Sequence, residues 1–415
     1  MPRSLVPGSL PKKLGDFLGL NASMLAMSVL VVAIGLGEKM AERFLPLYLL
    51  ALGGSVYAVG TLNAMDNLLS ALYSFPGGWA SDRFGYKRAL VLFTAVAMAG
   101  YLIVIFVPTW WAVLVGSVFF ISWTAISLPA IMSMVSQVVP PARRTMGVTV
   151  HSFVRRIPMA LGPVLGGLLI GALGRVAGIR AAFGAAFLLG ALAIACVLVL
   201  MKEAKPKEKK APVRLLATLK AISPQLRNLL VSDILIRFAE QIPYAFVVIW
   251  VVDVNHFSAL QFGVLTTIEM VTAMLVYIPV AYLADRSMKK PFVLITFGFF
   301  TLFPLVLVYS RTFPLLVLAF IIRGLKEFGE PTRKALIMDL APEEAKALTF
   351  GAYYLVRDIV VSIAALSSAY LWSLSPRINF MVAAACGLAG TAVFAVFGRN
   401  AAAPRGSRPQ RNTSG

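Results

Sequence analysis

Charge is scarce in this sequence, and so are the residues that usually hold metals and disulfides. Of 415 residues only 13% are Asp, Glu, Lys or Arg, against 59% hydrophobic, whereas about a quarter of a soluble globular chain is charged. Two cysteines and two histidines complete the shortage. Cys196 and Cys386 stand alone inside apolar runs, where isolated thiols behave as small buried hydrophobes; they give no disulfide framework and no redox compartment. His151 and His256 lie far apart with no ligand spacing, so no metal site is expected. HExxH, GxSxG and phosphate-loop patterns are missing as well, so neither an enzyme nor a bound cofactor is expected. Acids are the rarer sign, 18 against 38 bases, for a formal net charge of +20.

Long apolar runs are abundant. A window of roughly 20 residues, enough to cross a ~30 Å hydrocarbon core, gives twelve of them: 22–50, 56–81, 89–107, 111–137, 146–172, 178–201, 228–252, 257–284, 291–310, 313–338, 348–373 and 377–398. The expected class is an all-α, multi-pass membrane protein. The basic surplus sits in alternate loops: Arg83, Lys87 and Arg88; Arg143 and Arg144; the lysine-rich 202–214; Arg286, Lys289 and Lys290; and the tail after Arg399. Cytoplasmic loops collect Lys and Arg, so these loops and both termini are expected in the cytoplasm. Anionic lipid heads at that face account for the surplus without a nucleic-acid partner. Lys12 and Lys13 precede a first apolar run too long for a signal-peptide core, and no cleavable signal peptide is expected.

The chain repeats itself. "YSFPGGWASDRFGYKRALVL" from Tyr73 echoes "VYIPVAYLADRSMKKPFVLI" from Val276, which sets Pro76 on Pro279, Asp82-Arg83 on Asp285-Arg286 and Lys87 on Lys290. "HSFVRRI" from His151 echoes "YYLVRDI" from Tyr353 and sets Arg155 on Arg357. Two six-helix bundles are expected, 1–201 and 228–398. Residues 202–227 would form a cytoplasmic linker with a surface helix at Leu215, Leu216, Leu219 and Ile222, and 399–415 a disordered cytoplasmic tail.

The first copy of the repeat, with Gly78, Asp82, Arg83, Gly85 and Lys87, resembles the loop 2-3 signature of the major facilitator superfamily, and Asp285 and Arg286 mark its second copy. The resemblance implies a twelve-helix transporter with two pseudo-symmetric bundles, usually monomeric, in which this loop latches one conformational state. A second motif, Gly162-Pro163-Val164-Leu165-Gly166-Gly167, resembles the helix-5 signature associated in the superfamily with proton-coupled exporters; its glycines and proline suit a hinge. Pro158 stands where the longer pattern has glycine. The arginine of drug antiporters, expected near Ser117, is missing, so no helix-4 proton relay of that type is expected.

Intramembrane charges are the remaining signal, because such residues mark pathways or partners. The stretch "GEKMAER" puts Glu38, Lys39, Glu42 and Arg43 inside the first apolar run. The repeat carries Glu38 onto Glu240 and Asp66 onto Glu269. In the family, helices 1, 4, 7 and 10 line the central cavity, which makes Glu38, Lys39, Arg155, Glu240, Arg323, Lys326, Glu327 and Arg357 candidates for contact with substrate. Within single helices Arg323 and Glu327, Lys326 and Glu330, and Asp233 and Arg237 are spaced to pair at i,i+4. Asp66 and Glu269 have no charged residue within four positions. They are expected to hold and release protons, with Arg357 and Arg155 as candidate partners. The function expected is secondary active transport, a proton-coupled exporter of small amphipathic or polar-headed organic compounds at the cell membrane. An importer of organic anions and a non-transporting receptor remain as alternatives.

Overall fold

The computed structural model describes residues 22–121, 123–138, 154–201, 223–285, 288–341 and 346–398, and among these it contains helices and no strand. In chain order they are α1 (Ala22–Glu42), α2 (Leu45–Ala51), α3 (Val56–Phe84), α4 (Tyr86–Phe106), α5 (Trp110–Phe120), α6 (Trp123–Val138), α7 (Arg156–Leu173) and α8 (Arg175–Leu200). Then follow α9 (Pro224–Tyr244), α10 (Val247–Ile249) running into a π-helical turn at Trp250–Val254, α11 (Ala259–Asp285), α12 (Lys289–Tyr309), α13 (Phe313–Leu325), α14 (Glu330–Leu340), α15 (Lys346–Leu374) and α16 (Pro376–Phe397).

Among the described residues nine spans are long and apolar enough to cross a membrane, and the pair formed by Pro224–Tyr244 and Val247–Val254, bent by 41°, makes a tenth. Helix α3 and the pair α13–α14 bring the number to twelve. They fall below the hydropathy of the others because they carry Asn63, Asp66 and Asn67, and Arg323, Lys326, Glu327 and Glu330. The outer faces are those of a chain in lipid. In α4 the small and aromatic residues Ala89, Phe93, Ala97, Gly100 and Val104 form the buried stripe, while Leu92, Val96 and Phe106 face outward. A soluble helix would place polar residues there.

Three spans are broken among the described residues: α1 from α2, α9 from α10, and α13 from α14. The first break follows Arg43 and Phe44, where Phe44 N–H donates to Ala41 O at 3.0 Å in a tightened turn and Pro46 opens α2. Proline there has no N–H to leave unsatisfied. In the break between α13 and α14, i,i+3 bonds from Glu327 to Gly324 (3.2 Å) and Phe328 to Leu325 (2.9 Å) end α13, and Pro331 lies in the first turn of α14. The sequence reading had each of these segments as one uninterrupted helix. Around the α9–α10 break the run Ile242–Val251 stays apolar, so hydropathy does not register it.

The chain divides into two compact units. The first holds residues 1–212, 244–270 and 362–376; its core includes a trio of Tyr101, Phe120 and Phe183 with ring centroids 5.2–5.8 Å apart. The second holds residues 213–243, 271–361 and 377–415; its core joins Leu226, Leu229 and Ile236 of α9 to Phe297 and Phe300 of α12, Leu336 of α14 and Phe394 of α16. The expected surface helix of the linker and the tail beyond Gly398 lie outside the described residues.

Candidate functional site

In the first unit, the four charges of "GEKMAER" gather the two acids that the sequence left isolated. Lys39 Nζ donates to Glu38 Oε1 at 3.1 Å and also to Glu42 Oε2. Arg43 lies 5.2 Å over the Tyr244 ring, and its electrostatic neighbours are Tyr244, Glu269, Glu42 and Asp66. Asp66 in turn is surrounded by Glu42, Lys39, Glu38 and Arg43. Asp66 and Glu269 are therefore not isolated acids: α3 and α11 bring them within electrostatic reach of the guanidinium in the turn after α1. The four-position search behind the expectation sees only neighbours on the same helix. Burial of so many charges is tolerable because they neutralise one another locally.

Beside this group lies a narrow cleft lined by Val31, Gly35, Glu38 and Lys39 of α1, Trp123, Thr124, Ser127, Leu128 and Ile131 of α6, and Arg155, Pro158 and Met159 at the start of α7. Glu38, Lys39 and Arg155 thus line one narrow cleft.

The second unit carries a charge ladder. On α9, Asp233, Arg237 and Glu240 occupy one face at spacings of four and three; across the α13–α14 break, Lys326, Glu330 and Arg333 repeat the spacing with the signs reversed. The two rows pair antiparallel. Lys326 Nζ donates to Glu240 Oε1 at 2.6 Å, Arg237 Nη2 to Glu330 Oε1 at 3.1 Å, and Arg333 Nη1 to Asp233 Oδ2. Bonds along each row lock the ladder further: Arg237 Nη1 to Glu240 Oε2 at 2.5 Å, and Arg333 to both oxygens of Glu330 at 2.6 and 2.9 Å. Phe300 of α12 lies 5.4 Å beneath Arg237 and 5.6 Å beneath Lys326. Pairing across helices thus takes precedence over the i,i+4 reading: Asp233 and Arg237 stand 4.0 Å apart, while Asp233 is held by Arg333 and by Tyr353 Oη at 3.1 Å. Arg333, the most deeply embedded cation among the described residues at 1% exposure, was not among the sequence candidates.

Arg357 also belongs to this network. Its guanidinium donates to Asp358 at 2.7 Å, approaches Asp233 at 3.5 Å and stacks 4.1 Å over Tyr354. The partners found for it are these, in place of the expected Asp66. Arg323 is buried against Phe303 and Phe320 at 5.1 and 5.6 Å. Glu327 sits in the break after α13.

The helix-5 motif is a packing surface. A side chain on Gly162 would meet Lys39 Cβ at 2.6 Å, and one on Gly166 the carbonyl of Met40; one on Gly167 would meet Ala259 O at 2.6 Å, and one on Gly263 of α11 would meet Pro163 O at 2.5 Å. Thr267 Oγ1 donates to Ala160 O at 2.7 Å across the same seam. Glycine therefore seats α7 backbone-to-backbone on α1 and on α11, and Pro163 lies inside the unbroken α7. Nearby, Arg175 at the start of α8 binds Asp253 in the π-helical turn at 2.6 Å, a pair the sequence reading missed because its members are 78 positions apart.

At the loop 2-3 motif, Gly85 takes φ +81° between α3 and α4, a value that favours glycine. Arg83 is exposed and lies 5.1 Å over Trp79. Lys87 Nζ donates to Leu198 O at 2.9 Å, and its repeat mate Lys290 donates to Ala395 O at 2.7 Å. Each lysine caps the last turn of a helix, α8 or α16, where carbonyls lack partners and the dipole favours a cation. Gly78, Asp82 and Asp285 lie in α3 and α11 by backbone, their surroundings outside the described side chains, and Arg286 is outside the described residues. Among the described residues no cluster of metal-ligating side chains occurs.

The family model of the Major Facilitator Superfamily matches residues 17–239 and 229–414. No curated protein matches the chain in sequence. Among solved structures the chain is similar to the nucleoside transporter NupG, with TM-score 0.78 and 12% identity over 91% of this chain and 100% of that one. It is also similar to a POT family transporter in complex with a thioalcohol-conjugated peptide, with TM-score 0.74 and 13% identity over 90% and 95%. A bacterial homolog of the human lysosomal transporter Spinster gives TM-score 0.69 and 13% identity over 94% and 96%. At these identities the likeness is one of fold. With the family model spanning nearly the whole chain and twelve spans built as a repeat, this multi-pass membrane protein belongs to the major facilitator superfamily and is a secondary transporter of that kind.

Proposed function

We propose that the chain is a proton-coupled exporter of small amphipathic or polar-headed organic compounds, working by alternating access of its two sequence halves. The observation that carries the proposal is the first-unit charge group. Four carboxyls, Glu38, Glu42, Asp66 and Glu269, stand among three cations, Lys39, Arg43 and Arg155. One carboxyl in excess needs a proton or a donor on the ligand, and a site balanced by either one links the two binding events with opposite sign. Asp66 and Glu269 are the proton carriers in this reading, because both compete with Glu42 for Arg43. Glu240 is held between Arg237 and Lys326 and organises the second unit. Glu38 serves the cleft.

The resemblance of Gly162–Gly167 to the exporter motif supports the direction. Import of organic anions gains less support, since Lys326 and Arg357 already bind carboxylates of their own chain. The positive-inside pattern supports a cell-membrane location with both termini cytoplasmic and basic loops against anionic lipid; a monomer with no cofactor suffices for the cycle. The test is counterflow in sealed proteoliposomes with a compound library, with and without a pH gradient. Asp66→Asn and Glu269→Gln should abolish gradient-driven flux and spare energy-independent exchange. Full gradient-driven flux in both variants rejects the coupling, and binding without flux in the unaltered chain indicates a receptor.

A further inference from the structure

We infer that the outward groove between α12 and α16 seats one acyl chain of an anionic phospholipid, with the phosphate of that lipid at Lys290. The inference goes beyond the transport reading and does not rest on it. The groove measures about 420 Å³ and is lined by Ile295, Gly298, Leu302 and Leu305 of α12 and by Leu388 and Thr391 of α16. Gly298 is its recessed floor: the residue is buried, yet a side chain on it would meet no atom within 4 Å. The hydroxyls at the groove are already used, since Thr301 Oγ1 donates to Phe297 O at 2.9 Å and Thr391 Oγ1 to Gly387 O at 2.8 Å, each on its own helix. What the groove presents is hydrocarbon, and a hydrocarbon chain fills it without stranding a polar group.

The internal repeat shows that this seam has been hollowed. Its counterpart in the first unit is the seam of α4 and α8, where Lys87 bonds Leu198 O as Lys290 bonds Ala395 O; the same offsets set Met98 on Thr301, Gly190 on Gly387 and Ile194 on Thr391. The register holds in space, because a side chain on Gly190 would meet Met98 Cγ at 3.0 Å and one on Gly387 would meet Thr301 Oγ1 at 2.7 Å. Two large apolar side chains of the first seam are thus threonines in the second, and both threonines line the groove. Hydrocarbon fit does not choose among lipids, whose tails cover the whole outer face; the basic end does. The groove begins roughly 7.5 Å along α12 from Lys290 and runs roughly 15 Å from Ile295 to Leu305, half of a ~30 Å core and so the depth of one leaflet. Lys290 Nζ holds Ala395 O at 2.7 Å, one turn past Thr391 on α16, which puts the ammonium at the mouth. The segments that lead into α12 and out of α16 supply Arg286, Lys289, Lys290 and Arg399, against Asp285 and the Asp339 that Lys289 bonds. That surplus of cations suits a phosphate headgroup.

Native mass spectrometry of the purified full chain in detergent, titrated with palmitoyl-oleoyl phosphatidylglycerol or with phosphatidylcholine of the same chains, reads the site. The first phosphatidylglycerol should bind about fivefold tighter than the first phosphatidylcholine, the effect of one basic side chain beside an anionic head. Lys290→Gln should remove that preference, and Gly298→Leu, which fills the groove, should weaken both lipids by about fivefold or more. Gly184→Leu, on α8 where a side chain also meets no atom within 4 Å, should bind both as the unaltered chain does. In the unaltered chain lysophosphatidylglycerol should displace the bound lipid, and glycerol 3-phosphate, a head without a chain, should not. Equal binding of the two lipids overturns the inference, as does displacement by glycerol 3-phosphate, a folded Gly298→Leu that binds unchanged, or a Gly184→Leu that is weakened as much. The two lipids and the two competitors on the unaltered chain decide the matter if a variant fails to fold.

Discussion

Replacing Arg333 by methionine tests whether the ladder of the second unit holds its fold. The guanidinium is 1% exposed and bonds Asp233 Oδ2, Glu330 Oε1 and Oε2, and Tyr354 Oη at 3.4 Å. Methionine has similar length and suits a core, so packing is largely kept while the charge is lost. Asp233 would then retain Arg357 at 3.5 Å and the Tyr353 hydroxyl at 3.1 Å, and Glu330 would retain Arg237 at 3.1 Å. Removing one partner of a buried ion pair costs about 3–5 kcal/mol, because the other charge stays buried. The remaining partners place Arg333→Met near the lower end, about 3 kcal/mol. Arg333→Lys keeps the charge but not the fork and should cost roughly 1–2 kcal/mol, since it gives up bonds to a charged group. Equilibrium unfolding in mixed micelles, followed by tryptophan fluorescence, gives these differences. Adding Asp233→Asn to Arg333→Met should recover at least about 1 kcal/mol of the loss, because the pair then no longer contains an uncompensated carboxylate. If Arg333→Met lies within about 0.5 kcal/mol of wild type, or if the double variant shows no recovery, the ladder does not carry the energy assigned to it.

Other seams of the molecule give further expectations. Gly167→Val and Gly263→Val each drive a side chain into the facing backbone at about 2.6 and 2.5 Å; both should cut transport tenfold or more, measured as counterflow, and Gly171→Ala, with open space around it, should transport normally. Breaking Arg175–Asp253 by Arg175→Ala should change the labelling rate of a cysteine placed at Asn255 by at least threefold, and an unchanged rate would remove this pair from the transport cycle. Asp82→Asn, at the loop 2-3 motif, should slow turnover while insertion and melting behaviour stay as in wild type; wild-type turnover by the folded variant denies the loop its latch role.

The twelve spans and their repeat were legible because lipid and twofold topology both write long-period patterns into composition. The broken spans were not, since a break costs a few hydrogen bonds and can leave the apolar run intact, as at Ile242–Val251. Reading within one helix also misassigned the charges. Asp66 looked solitary because its charged neighbours, Glu42, Lys39, Glu38 and Arg43, lie on α1 and the turn after it rather than on α3. The ladder had a visible signal: Asp233-Arg237-Glu240 and Lys326-Glu330-Arg333 share one spacing with opposite signs, and comparing the charge rows of different spans would have proposed the pairing. The Arg175–Asp253 pair carried no such pattern, being a single contact between two connecting segments.

The interrupted spans bear on which substitutions the chain can absorb. A proline inside a continuous membrane helix removes a hydrogen bond that no water replaces, whereas at an interruption the bond is already missing. The chain uses this freedom at each of the three breaks, with Pro46 opening α2, Pro243 closing α9 and Pro331 in the first turn of α14. Acceptance of proline should therefore come in narrow windows at Leu45 and Ala245–Phe246, with sharp loss a turn to either side. Related chains, too, should vary in where proline falls within those windows, while their helix lengths between windows stay fixed.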